Sequence, residues 1–200
     1  MAEPVVRPGE TEPAPPPALT VVPDAADRAV EVRMLNAVQA TVATPPVVTV
    51  ARGMSLFGEH AAGWLALGLV GAAVDRTRRQ DWLGAVAGVA AAHGASIAVK
   101  RVVRRRRPSD PSVRVLATTP STLSFPSAHA TSTTAAAVLY GGLLNKPLVP
   151  VIVPPMALSR LVLGVHYPSD VLVGSALGAS VAGGVRAWLR RSAARRAGER

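Results

Sequence analysis

A chain of 200 residues suffices for one domain, and this one is 49% apolar, with a mean hydropathy of +0.29 and a formal charge of +10. It contains no cysteine, which excludes disulfides and thiolate metal sites. The positive balance points to an anionic partner: nucleic acid, anionic lipid or a phosphorylated substrate.

Residues 1–23 are rich in Pro and Glu and poor in large apolar side chains, so they read as a disordered tail. They lack the basic start and apolar core of a secretory signal. Residues 24–44 place Val30, Val32, Met34, Leu35, Val38 and Val42 among Asp, Glu and Arg. This pattern predicts a helix lying on a surface and ended by Pro45-Pro46.

Five apolar segments follow, at 61–74, 82–99, 127–144, 147–165 and 171–185. Several fall short of the roughly 20 residues of a spanning helix, so a soluble bundle is a rival at this level. Arg-rich or Pro-rich connections, the absence of a charged helical face, and the small-residue pairs Gly84/Gly88 and Gly174/Gly178 favour the membrane. The expectation is an all-α integral membrane bundle over 24–190, with five spans, an N-terminal interfacial helix and a basic C-terminal tail at 191–200. That describes a multi-pass protein of the plasma membrane.

Polar clusters interrupt this pattern at three helix ends. In "KRVVRRRRP", a helix continued past Val99 would align Lys100, Arg104 and Arg107 on one face before Pro108 stops it. Such a row suits a multiply charged anion, although a basic membrane anchor would look the same. In "SFPSAHATSTT", a helix starting near Ser127 aims free N–H groups and its positive dipole end at whatever precedes it. Ser127 adds a hydroxyl, and His129 adds a group that exchanges protons near neutral pH. In "SRLVLGVHYPSD", Arg160 offers a forked cation that matches phosphate. Pro168 separates two helices and puts Asp170 in the first turn of the second, where its carboxylate can accept a hydrogen bond from His166.

An up-and-down bundle brings all three clusters to one membrane face. Only one carboxylate lies near the histidines, so no metal site is expected and no cofactor is implied. Cations and N–H donors can hold the equatorial oxygens of a transferring phosphoryl group, while one histidine attacks and the other protonates the leaving oxygen.

As a set, Lys100-x6-Arg107-Pro108, Pro126-Ser127-Ala128-His129 and Ser159-Arg160-x5-His166-x3-Asp170 resemble the three-part signature of the type 2 phosphatidic acid phosphatase and vanadium haloperoxidase superfamily. The resemblance covers residues 100–170. It implies that Lys100, Arg107, Arg160, Ser127 and the N–H of Ala128 bind phosphate. It makes His166 the nucleophile that becomes phosphorylated, Asp170 its orienting partner and His129 the general acid. The family usually has glycine where this chain has Ala128. Arg101, Arg105 and Arg106 fall outside the signature and read as headgroup contacts or electrostatic attractors. His93 reads as a packing residue of the second span or a supporting group of the site. Glu59 and His60, just before the first apolar segment, come to the same face by span count and are expected to help recognise the substrate headgroup.

The function implied is a lipid-phosphate phosphatase, with composition and short loops most like actinobacterial members acting on prenyl-linked phosphates. Undecaprenyl pyrophosphate, phosphatidic acid and phosphatidylglycerophosphate are alternative substrates, because the signature reads only the phosphate. A haloperoxidase is disfavoured by short length and apolar spans. A non-catalytic protein holding anionic lipid or nucleic acid is disfavoured because charge alone requires no His-x3-Asp. The expected partners are the lipid substrate and the membrane, not nucleic acid.

Overall fold

A computed structural model describes the backbone of residues 25–198 and the side chains of residues 26–191. Seven helices follow one another among the described residues: α1 (Ala25–Val42), α2 (Pro45–Gly58), α3 (Ala62–Val74), α4 (Arg79–Val103), α5 (Ala128–Leu144), α6 (Val149–Val162) and α7 (Pro168–Gly198). A 3-10 turn, Glu59–Ala61, separates α2 from α3, and a second, Arg76–Arg78, precedes α4. The described residues form no strand, only an isolated bridge between Arg106 and Leu123. The fold is an all-α bundle of membrane type.

Three helical stretches are long and apolar enough to cross a membrane: Pro45–Val74, Arg76–Val103 and Pro168–Arg191. The first is bent at the 3-10 turn, where His60 and Ala61 adopt φ of 51° and 60°. Helix α6 is apolar but shorter.

Helix α5 is central. Every residue from Ala130 to Ala137 is buried, and the helix packs against α4, α6 and α7. A helix enclosed on all sides needs no lipid-facing stripe, so its Ser and Thr residues do not argue against a membrane setting. Thr131 Oγ1 donates to Ser127 O at 2.9 Å and Ser132 Oγ to Ala128 O at 2.9 Å. Trp64 Nε1 reaches across from α3 to Thr133 Oγ1 at 2.9 Å.

Both glycine pairs serve helix contacts. Gly88 faces Leu139 and Val185, and Gly84 faces Leu189. A methyl on Gly174 would stand 2.6 Å from Ser127 O, and one on Gly178 would meet the Thr131 carbonyl and lie 3.1 Å from Thr134 Cβ. Helices α5 and α7 therefore approach backbone to backbone beside the second polar cluster. Gly178→Ala should destabilise the protein by about 1–3 kcal/mol, the usual cost of overpacking. Thermal unfolding in detergent measures this, and a melting temperature equal to the parent's would refute it.

The structure departs from the sequence expectations at three places. Pro45-Pro46 does not merely end one helix; the pair starts α2, a position where a missing N–H costs little. The basic helix does not continue to Arg107. It ends at Val103, with Arg104 left-handed (φ 54°) and its N–H bonded to Lys100 O, so Lys100, Arg104 and Arg107 do not share a helical face. Helix α7 runs on to Gly198, so residues 191–198 extend a helix where a tail was expected. The expected disordered tail at 1–23 lies outside the described residues.

Candidate active site

The three clusters converge on one cavity of about 320 Å³. Lys100, Arg107, Ala128, His129, Arg160 and His166 all line it, as do Glu59, His60 and His93. Most of the expected site residues therefore meet in one place. Ser127 and Asp170 sit behind the wall, each fully buried.

The first cluster is shaped by the return of the chain after α4. Arg107 N donates to Thr122 O and Ser124 N to Arg105 O, pinning the loop against the residues before the second cluster. Lys100 holds the same loop from α4: its ammonium donates to the carbonyls of Leu123, Ser124 and Pro126 at 3.1, 3.0 and 3.1 Å. Its charge faces the cavity, but its three protons organise the loop leading into α5.

Arg107 donates through Nε to Ser121 O at 2.8 Å and through Nη1 to Val165 O at 2.7 Å. Nη1 also lies 3.2 Å from His166 Nε2. Burial pushes the Arg107 guanidinium down to about 10, which leaves it charged at neutral pH. Arg160 is 1% exposed. Its Nε meets Ser159 Oγ and its Nη1 meets Ser55 Oγ, while Nη2 has no hydrogen-bond partner among the described residues. A buried guanidinium with an idle donor beside a cavity is suited to an oxyanion.

Helix α5 begins at Ala128, capped by Ser127 Oγ, which accepts from Ala130 N at 3.4 Å. The N–H groups of Ala128 and His129 belong to the first turn and have no carbonyl one turn back. His129 Nε2 lies 3.0 Å from Ser55 O. A carbonyl can only accept, so this contact places the proton of the neutral ring on Nε2. Gly58 makes the approach possible, because a methyl there would stand 2.7 Å from His129 Cδ2. Ser55 thus touches two site residues, one through its hydroxyl and one through its carbonyl. Nothing in "MSLFGEH" marks it, since its role follows from the bend that turns α2 toward α5.

His166 lies in the connection between α6 and α7. Burial pushes its imidazole down to about 4, so the ring is neutral near pH 7. The expected His166–Asp170 contact is present but long: Nδ1 is 3.5 Å from Oδ2, beyond the usual range for an N–H···O bond. Oδ2 accepts instead from Tyr167 N at 2.8 Å. Nδ1 has no hydrogen-bond partner among the described residues.

Arg105 differs from its expected role as a headgroup contact. It is 5% exposed, stacks 4.1 Å from the centre of the Tyr167 ring, and donates to Asp170 Oδ1 at 2.9 Å. The sequence could not separate it from its neighbours, because five arginines in seven residues look alike until the chain turns at Arg104. His93 faces the cavity, with its ring centre 6.4 Å from that of His60.

A family model for the PAP2 superfamily matches residues 81–194. Decaprenylphosphoryl-5-phosphoribose phosphatase of Mycobacterium tuberculosis (strain H37Rv) is 58% identical over 152 residues, 76% of this chain and 86% of that protein. The protein of the same name from Mycolicibacterium smegmatis is 58% identical over 142 residues, covering 70% and 79% respectively. Among solved structures, the fold resembles a transmembrane PAP2 type phosphatidylglycerolphosphate phosphatase from Bacillus subtilis, with a TM-score of 0.71 at 23% identity over 84% of this chain and 88% of that one. It also resembles Aquifex aeolicus LpxE, with a TM-score of 0.63 at 16% identity over 78% and 94%.

Proposed function

The chain belongs to the PAP2 superfamily and is a lipid-phosphate phosphatase, and from that premise we propose that it removes the 5-phosphate of decaprenylphosphoryl-5-phosphoribose at the plasma membrane, in the supply of precursors for cell-wall arabinan. The observation that carries the reading is the convergence of Lys100, Arg107, Arg160, His129 and His166 on one cavity. The substrate follows the two 58% identical relatives. Undecaprenyl pyrophosphate, phosphatidic acid and phosphatidylglycerophosphate are the alternatives.

In the proposed reaction, Arg107, Arg160 and the N–H of Ala128 hold the three non-bridging oxygens, with the Lys100 charge beside them and the Ser127 hydroxyl behind them. His166 Nε2 attacks phosphorus as the bond to the ribose oxygen breaks, and His129, entering the cycle protonated on both ring nitrogens, gives that oxygen its Nδ1 proton while Nε2–H stays on the Ser55 carbonyl. Asp170 stabilises the positive charge on the phosphorylated ring. His129 then takes a proton from water, whose oxygen attacks phosphorus and breaks the P–N bond. Inorganic phosphate leaves and His166 is restored. The cationic cradle stabilises charge spread over the equatorial oxygens, so the chemistry needs only positioning and electrostatics. Glu59 and His60 line the same cavity, which supports a role for them in meeting the ribose. The expected five crossings would put the site at one membrane face. Helix α2 packs its Val47 and Val48 with Val162, Leu163 and Val165 near that face.

Purified protein in detergent should release phosphate from decaprenylphosphoryl-5-phosphoribose with a higher kcat/KM than from any of the three alternatives. Glu59→Ala with His60→Ala should erode that preference more than it lowers kcat. A preference for a phospholipid or a pyrophosphate would overturn the substrate and leave the phosphatase class intact.

A further inference from the structure

Helix α1 lies outside the residues matched by the family model, yet it reaches the active site. Its Glu31 is 8% exposed and forms an ion pair with Arg105 Nη2 through Oε2. Glu31 Oε1 accepts from Ser169 N at 3.1 Å and from Ser169 Oγ at 2.5 Å. Arg105 Nη1 donates to Asp170 Oδ1 at 2.9 Å and to Ser169 Oγ at 2.7 Å. The side chains of Arg105 and Asp170 are 4% and 0% exposed. A buried chain of charges therefore runs from the N-terminal helix to the carboxylate beside His166.

The charges in that chain matter more than their number of contacts. Arg105 and Asp170 alone would form a neutral pair, and a neutral pair stabilises a positive imidazole weakly. Glu31 brings the group to a net charge of −1. Oδ1 of Asp170 is then occupied by Arg105, and Oδ2 remains on the side of His166 Nδ1. We propose that Glu31 and Arg105 are positioning residues for the phosphatase reaction: Arg105 fixes the Asp170 carboxylate, and Glu31 offsets the Arg105 charge so that Asp170 can stabilise phosphorylated His166. In this arrangement, docking of α1 completes the catalytic site. Arg105 lies inside the variable stretch between Lys100 and Arg107, which explains why the motif does not flag it.

The inference rests on the proposed role of Asp170, and the test separates the two. Glu31→Gln preserves shape and removes the charge. It should lower kcat about tenfold with KM changed less than twofold, and it should slow formation of the phosphoenzyme by the same factor. Glu31→Asp, which restores the charge, should recover part of the loss. In an Asp170→Asn background, Glu31→Gln should produce no further loss, because the carboxylate it serves is gone. Losses that multiply in the double variant, or a kcat for Glu31→Gln within twofold of the parent, would overturn the proposal. An Asp170→Asn enzyme with parental kcat would instead overturn the role of Asp170 itself. Melting temperatures of the variants in detergent identify any loss that stems from unfolding, and Glu31→Asp then supplies the decisive comparison.

Discussion

Replacing His166 with alanine should abolish phosphate release, lowering kcat by roughly 10⁴-fold or more, the scale on which covalent catalysts lose activity without their nucleophile. Two other groups on the cavity wall are already engaged: His129 is held by the Ser55 carbonyl and Lys100 by three carbonyls. Rapid acid-free quenching of the parent with substrate labelled in the phosphate should trap label on the protein, and His166→Ala should trap none. Labelled protein in the alanine variant would place the nucleophile elsewhere. The pH dependence carries a second expectation. Burial lowers the imidazole from its ordinary value to about 4, and the nucleophile must be neutral. Its fraction in the active form is therefore complete above pH 5 and falls only as pH drops through about 4. In the free enzyme, the acid limb of kcat/KM that belongs to His166 should therefore lie near 4 and not near 6.5.

The members of the candidate site were more legible than its architecture. Lys100, Arg107, Ser127, His129, Arg160, His166 and Asp170 declare themselves because ionisable groups among apolar helices are costly to bury and stand out at once. Their convergence follows from alternating helix directions, which short connections between apolar segments impose. The hidden features depend on tertiary contacts. Pro45-Pro46 signals a helix boundary from either side, so α2 and its Ser55 were invisible. Arg105 became distinct only when Arg104 adopted a left-handed conformation and turned the next side chain inward. Glu31 read as the polar side of an amphipathic helix, because its partner lies 74 residues further along the chain.

His129→Ala should cost roughly 10²–10⁴-fold in kcat on the lipid substrate, the range for removal of a general acid or base, and the size should depend on the leaving group. A ribose hydroxyl leaves poorly without a proton, so both phosphorylation of His166 and its hydrolysis suffer with the natural substrate. An aryl phosphate leaves as a stable phenolate and needs no acid. With that substrate the variant should phosphorylate His166 at close to the parental rate and then stall, because the hydrolytic water has lost its base. The readout is a burst of phenolate approaching one equivalent per enzyme, followed by slow turnover. Equal slowing of the burst with aryl and alkyl leaving groups would show that His129 positions the phosphate and does not transfer a proton. The geometry favours proton transfer: His129 lines the same cavity as His166, and with Nε2–H held by the Ser55 carbonyl the nitrogen left to exchange a proton is Nδ1. A residue that only bound phosphate would be better served by a permanent charge, and Arg107 and Arg160 already supply two.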